Sequence, residues 1–182
     1  RNNTGRCLLL GLVTGLGLVL ISMVLALLTS QLIQSLGDQA EPQKLVTLIA
    51  EESAKQENIG TLIFFVVMAV VVAPIAEEIL FRGILYPAIK QIGYPRLAAI
   101  GTALLFALFH VNLLTFASLT AVALALIALY EFTDNLLAPI IAHAIFNISN
   151  VAMIFMASKP LAPTTLENWL GFRYAIESVL II

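Results

Sequence analysis

Residues 7–30, CLLLGLVTGLGLVLISMVLALLTS, contain no charged side chain. At 1.5 Å per residue a helix of that length spans about 36 Å, more than the ~30 Å of a bilayer's hydrocarbon core. The run follows Arg1 and Arg6, lacks a small-residue cleavage pattern directly after it, and exceeds a signal-peptide core, so it reads as a true membrane span. Hydrocarbon offers no partner for exposed backbone amides, so such a span is a helix. The remainder of the chain agrees. Hydrophobic residues make up 60% and charged residues 11% of the 182, and mean hydropathy is +1.01. Soluble domains carry about 25% charged residues.

The chain is therefore expected to be an all-α, polytopic transmembrane bundle. Further spans are read at 59–91, at 97–114 and at 136–156, with a short return helix over 116–130 and a polar turn at EFTDN. Pro74 is expected to kink the second span, and GYPR to end it. Residues 41–58 place Leu45, Leu48 and Ile49 at helical spacing opposite Glu51, Glu52 and Lys55, the pattern of an amphipathic interfacial helix. ASKPLAPTTLENWLGFR reads as an interfacial loop anchored by Trp169, and YAIESVLII as the opening of another helix. The organisation so read is an N-terminal span with its interfacial segment over 1–58, a core over 59–158 and a terminal loop over 159–182. Gly11 and Gly15 form a G-x-x-x-G in the first span, a helix-packing signal that is weak on its own.

Nine basic and eleven acidic residues leave a formal charge of −2, which excludes the basic patch a nucleic-acid partner needs. Cys7 has no cysteine to pair with and reads as a packing residue. Arg1, Arg6, Arg82, Lys90 and Arg96 outnumber the four basic residues assigned to the other side, which orients the N-terminus and the Gly93 turn toward the cytoplasm.

Within the spans stand Glu77, Glu78, Arg82, His110, His143 and Asn147. Each buried ionisable group costs at least ~2.5 kcal/mol on insertion scales, so such groups are functional candidates by default. Their depths match. Glu77 lies 17 residues before Tyr94 and His110 lies 16 after it, so antiparallel helices carry both to about 25 Å from the turn, able to face each other. His143 and Asn147, four apart, share a helix face, and Phe106 sits one turn before His110. Glu78 and Arg82 have the spacing of a helical ion pair, with Glu77 projecting about 100° away. No serine lies in G-x-S-x-G, and no H-E-x-x-H zinc pattern is present. What remains is a carboxylate and a histidine able to activate water, and a second histidine and an amide able to donate to an oxyanion. That combination suits hydrolysis of an acyl bond, and a peptide bond is the expected one.

EEILFRG, FALFH and HAIFN, in this order and spacing, resemble the E-E-x-x-x-R, F-x-x-x-H and H-x-x-x-N blocks of the CPBP superfamily, the CAAX proteases and bacteriocin-processing (Abi-type) enzymes. The resemblance covers residues 60–157 and implies an intramembrane endopeptidase with a polar catalytic cavity among its helices. It implies Glu77 as general base, His110 as a holder of the water, His143 and Asn147 as the oxyanion site, and Glu78, Arg82 and Phe106 as support. The implied partners are the lipid bilayer and a peptide or protein cleaved close to the membrane, and the implied location is multi-pass in a plasma (inner) membrane. Members have been described both as metalloproteases and as metal-independent. Glu77, His110 and His143 are conceivable zinc ligands, but the local spacing of common zinc sites is missing, so no cofactor is expected. Two other classes stay open: a non-catalytic bacteriocin-immunity or adaptor protein, and a proton-coupled transporter, which the lack of inverted repeats disfavours.

Overall fold

The computed structural model describes residues 4–37, 48, 49, 51 and 59–157; most of the amphipathic segment, the Trp169 loop and the terminal helix of the sequence reading lie outside them. Five helices make up the described bundle, and no strand occurs among the described residues. They are α1 (Thr4–Ser35), α2 (Ile59–Lys90), α3 (Pro95–Phe109), α4 (Leu113–Thr133) and α5 (Leu137–Ala157). All but α3 are long and apolar enough to cross a membrane.

α1 lies against α5 and α4. Its buried face is a line of mostly small residues, Cys7, Gly11, Gly15, Leu18, Ser22, Ala26, Ser30 and Ile33. Small side chains let two backbones approach, which is where membrane helices gain dispersion energy in the absence of a hydrophobic drive. The approach is close: a Cβ on Gly11 would stand 2.8 Å from the Ala138 carbonyl oxygen, and one on Gly15 2.7 Å from that of Ala142. The G-x-x-x-G is thus a helix seam within this chain. Ser118 Oγ donates to the Ser22 carbonyl at 3.3 Å and ties α4 to the same helix. Cys7 is buried in this layer beside Leu18, Ala138 and Phe146, as expected of a packing residue.

α2 is not a uniform α-helix. Met68–Val72 and Ile79–Leu85 are π-helical, and each stretch runs up to a proline, Pro74 and Pro87. A proline ring clashes with the carbonyl four residues before it, and the wider π turn relieves that clash. The register shows in the capping bonds: Ala73 N–H donates to Met68 O and Tyr86 N–H to Phe81 O, both five residues back. Pro74, where a kink is expected, stands just after the first of these two widened turns, which lie one on each side of the glutamates.

α3 ends earlier than the 97–114 span read from hydropathy. Its fifteen residues make about 22 Å of helix, short of a full crossing. The break is conformational. Val111 has φ +48°, and Asn112 Oδ1 accepts from Thr115 N at 3.1 Å to start α4, an N-cap that hydropathy cannot register. α4 accordingly runs over 113–133, longer than the return helix expected at 116–130. It stops at Asp134, in left-handed conformation with its N–H on Tyr130 O at 2.8 Å, and Asn135 Oδ1 caps α5 through Leu137 N at 2.8 Å.

One end of the bundle collects the polar contacts. Lys90 Nζ bonds Glu131 at 2.6 Å, Tyr86 and Tyr130 rings meet edge to face at 6.4 Å, and the Arg6 guanidinium stands 5.2 Å over Phe132. The start of α1, the Gly93 turn and the turn after α4 therefore share a side, as the topology reading requires. Arg82 does not belong to that side: it is 0% exposed inside the bundle, and so contributes nothing to the loop-charge asymmetry.

Candidate active site

Phe106 on α3 is fully buried and forms the apolar floor of the site. Its ring meets Phe81 at 5.1 Å, His110 at 4.9 Å and His143 at 5.8 Å between centroids, and Arg82 lies over it at 4.9 Å. Three helices thus bring their polar residues to one aromatic ring.

The Glu78–Arg82 pair expected from spacing is present. Arg82 Nη1 donates to Glu78 Oε1 at 2.8 Å, and Nη2 to the Ala123 carbonyl of α4 at 3.1 Å. Both side chains are shut off from solvent, so neither charge survives without its partners. Glu78 has a second partner that the spacing did not announce. His143 Nδ1 lies 2.8 Å from the same Oε1. A carboxylate accepts only, so the hydrogen of this contact sits on Nδ1 and the working nitrogen of His143 is Nε2. Nε2 faces Glu77, at 3.8 Å from its Oε2.

The two adjacent glutamates therefore differ in kind. Glu78 is held by a cation and an imidazole. Glu77 is partly exposed, its side chain at 28%, and its Oε2 has no hydrogen-bond partner in the protein. An acceptor of that type beside a histidine nitrogen is positioned to take a water molecule and a proton from it.

His110 is brought to the same ring but not to the carboxylates. Its Nδ1 donates to the Phe106 carbonyl at 2.8 Å, so the histidine caps its own helix end and leaves Nε2 as its outward nitrogen. Asn147 extends from α5, one turn beyond His143, and its Nδ2 donates to the Ala69 carbonyl of α2 at 2.7 Å. The backbone acceptors at Ala69 and Ala123 were not legible from residue type. Pro74, which lacks an amide hydrogen, was the one available signal near the first.

The conceivable zinc set was Glu77, His110 and His143. Among the described residues no group of three His, Cys, Asp or Glu side chains converges closely enough to hold a metal ion.

Apolar helices of spanning length closed around two carboxylates, an arginine and a histidine define an integral, multi-pass membrane protein with acid–base groups inside the bundle. A family model, type II CAAX prenyl endopeptidase Rce1-like, matches residues 59–149, half of the chain. The chain belongs to that family, within the CPBP and CAAX protease superfamily, and on that ground is a peptidase acting on a protein or peptide substrate in the membrane. No curated protein and no solved structure matches it.

Proposed function

We propose that this chain is a glutamate-dependent intramembrane endopeptidase in which Glu77 is the general base. The observation that supports the assignment is the asymmetry of the two glutamates: Oε2 of each is unpartnered, but Glu78 is buried with its Oε1 bonded to both Arg82 and His143, whereas Glu77 is partly exposed and has only the 3.8 Å contact to His143. In this reading a water molecule held between Glu77 and an imidazole Nε2, with His110 as the second water-holding group, attacks the peptide carbonyl carbon. Glu77 takes the water's proton and the carbonyl oxygen becomes an oxyanion. The C–N bond then breaks, the proton passes from Glu77 to the leaving nitrogen, and a carboxylic acid and an amine result, which become carboxylate and ammonium when the acid's remaining proton moves to the amine.

Asn147, through the Nδ2 hydrogen that Ala69 does not use, donates to the oxyanion, and His143 completes that site beside it. Each such donor typically contributes ~10² to 10³ in turnover. Phe106 keeps the two imidazoles and the guanidinium in register and excludes water from the Glu78–Arg82 pair. The substrate is a peptide whose cleavage site lies close to its membrane anchor, and the core that acts on it is 59–158.

Single-turnover cleavage of a membrane-anchored peptide by the parent and by Glu77→Gln tests the proposal. The amide preserves shape but accepts no proton, so cleavage is lost while the melting temperature holds. A folded Glu77→Gln that cleaves like the parent rejects the mechanism. A parent that cleaves no peptide across a broad panel of anchored substrates moves the chain to the adaptor reading.

A further inference from the structure

Asn147 is bonded to the backbone of the helix that carries the glutamates, and the reason lies four residues upstream of Glu77's own turn. In the π register before Pro74, the Ala73 amide is committed to Met68 O. The next carbonyl, Ala69 O, would take the amide of residue 74 by the same five-residue step, and residue 74 is proline. Ala69 O is thereby stranded at the one buried residue of that stretch, Ala69 being 8% exposed. A stranded carbonyl in an apolar interior costs the desolvation of the group unless a donor reaches it. Asn147 Nδ2 does so at 2.7 Å, from another helix and 78 residues away.

We infer that Asn147 is a positioning residue for Glu77: its amide repairs the carbonyl that Pro74 strands, and so fixes the widened turn that leads into the helical turn carrying the glutamates. The inference concerns how the site is held and rests on the peptidase reading only for its effect on turnover. One Nδ2 hydrogen makes the repair. With the amide plane pinned in this way, the second hydrogen has a set direction, so the repair and the oxyanion role proposed above use different hydrogens of one group. Pro74 and Asn147 form a coupled unit in which the break made by one is completed by the other.

The coupling gives a test that an oxyanion donor alone does not satisfy. Pro74→Ala returns an amide hydrogen at position 74, where it takes the Ala69 carbonyl and makes the asparagine dispensable for the repair. Asn147→Leu is made in the parent and in the Pro74→Ala background, and purified proteins are melted in detergent. In the parent background Asn147→Leu lowers the melting temperature by about 5 °C, the scale expected for one stranded buried carbonyl. In the Pro74→Ala background at least half of that loss disappears. Equal losses in both backgrounds overturn the inference, and this arm requires no enzymatic activity.

Single-turnover cleavage by the same four proteins supplies the positioning readout. Asn147→Leu is expected to lower turnover about tenfold more in the parent than in the Pro74→Ala background, because only the parent loses both the oxyanion donor and the placement of Glu77. Stability coupled but turnover equally reduced reduces Asn147 to a packing and oxyanion group and overturns the positioning role. If the parent itself cleaves nothing, the peptidase reading falls, and the melting cycle alone decides for or against the repair.

Discussion

Gly15→Ala adds one methyl group to the seam between α1 and α5. Its Cβ would stand 2.7 Å from the Ala142 carbonyl oxygen and 2.8 Å from Ile145 Cβ. The first contact falls about 0.7 Å short of the 3.4 Å at which ordinary contact begins, and it is made to a backbone oxygen, which has no rotamer to escape into. The helices must separate by that amount. A gap of 0.5–1 Å forfeits roughly a quarter to a half of each dispersion contact along the seam, and overpacking of this kind costs about 1–3 kcal/mol. The displaced carbonyl belongs to the residue before His143, whose Nδ1 reaches Glu78 across 2.8 Å. A shift approaching 1 Å breaks that bond, and misplacement on this scale lowers turnover by ~10². The assay pairs detergent melting with single-turnover cleavage, and Gly17→Ala on the same helix is the control. No atom lies within 4 Å of a Cβ there, so Gly17→Ala keeps parental activity and gains up to about 1 kcal/mol from reduced chain entropy. If Gly15→Ala melts and cleaves like Gly17→Ala, the seam does not position His143.

Arg82→Ala leaves the Glu78 carboxylate 0% exposed with an imidazole as its remaining partner, at an expected cost of about 3–5 kcal/mol; a variant that melts like the parent disproves the pairing. His110→Ala is expected to abolish single-turnover cleavage as Glu77→Gln does, and parental rates in the folded variant remove His110 from the water site. Treatment of the purified protein with a strong chelator is expected to leave cleavage unchanged, and loss of activity that returns with added zinc refutes the metal-free mechanism. Gln91→Cys is expected to react with an impermeant thiol reagent from the cytoplasmic side; labelling only from outside reverses the topology.

Residue spacing carried the reading where chemistry and period coincide. Three of the four spans read from the apolar runs are spanning helices, Glu78 and Arg82 lay one turn apart, and Gly11 and Gly15 marked a close seam. It failed where rotation about a helix axis decides. Depth arithmetic placed Glu77 opposite His110, but depth says nothing of azimuth, and a π turn inserts a residue that rotates everything after it. In the structure His143 is the histidine at Glu77, and His110 turns back to its own helix. The end of α3 was overrun for a related reason: Val111 at φ +48° leaves no trace in hydropathy, whereas the Asn112 cap directly before an apolar run was a readable stop. Counting Arg82 among the loop charges treated a buried partner as a topological signal.

α2 is the least enclosed of the spanning helices, with 11% of its apolar stretch buried against 50% for α4 and 44% for α5. Resistance to local opening follows the density of buried contacts, so breathing motions concentrate in the helix with the fewest. Glu77 rides on that helix and His143 on one welded to α1 through two glycines. The 3.8 Å between Glu77 Oε2 and His143 Nε2 is therefore the elastic distance of the site, set by a stiff wall on one side and a pliant leaf on the other. A substrate that wedges between them does its mechanical work almost wholly on the leaf, and amide exchange in detergent should find α2 opening first and α4 last.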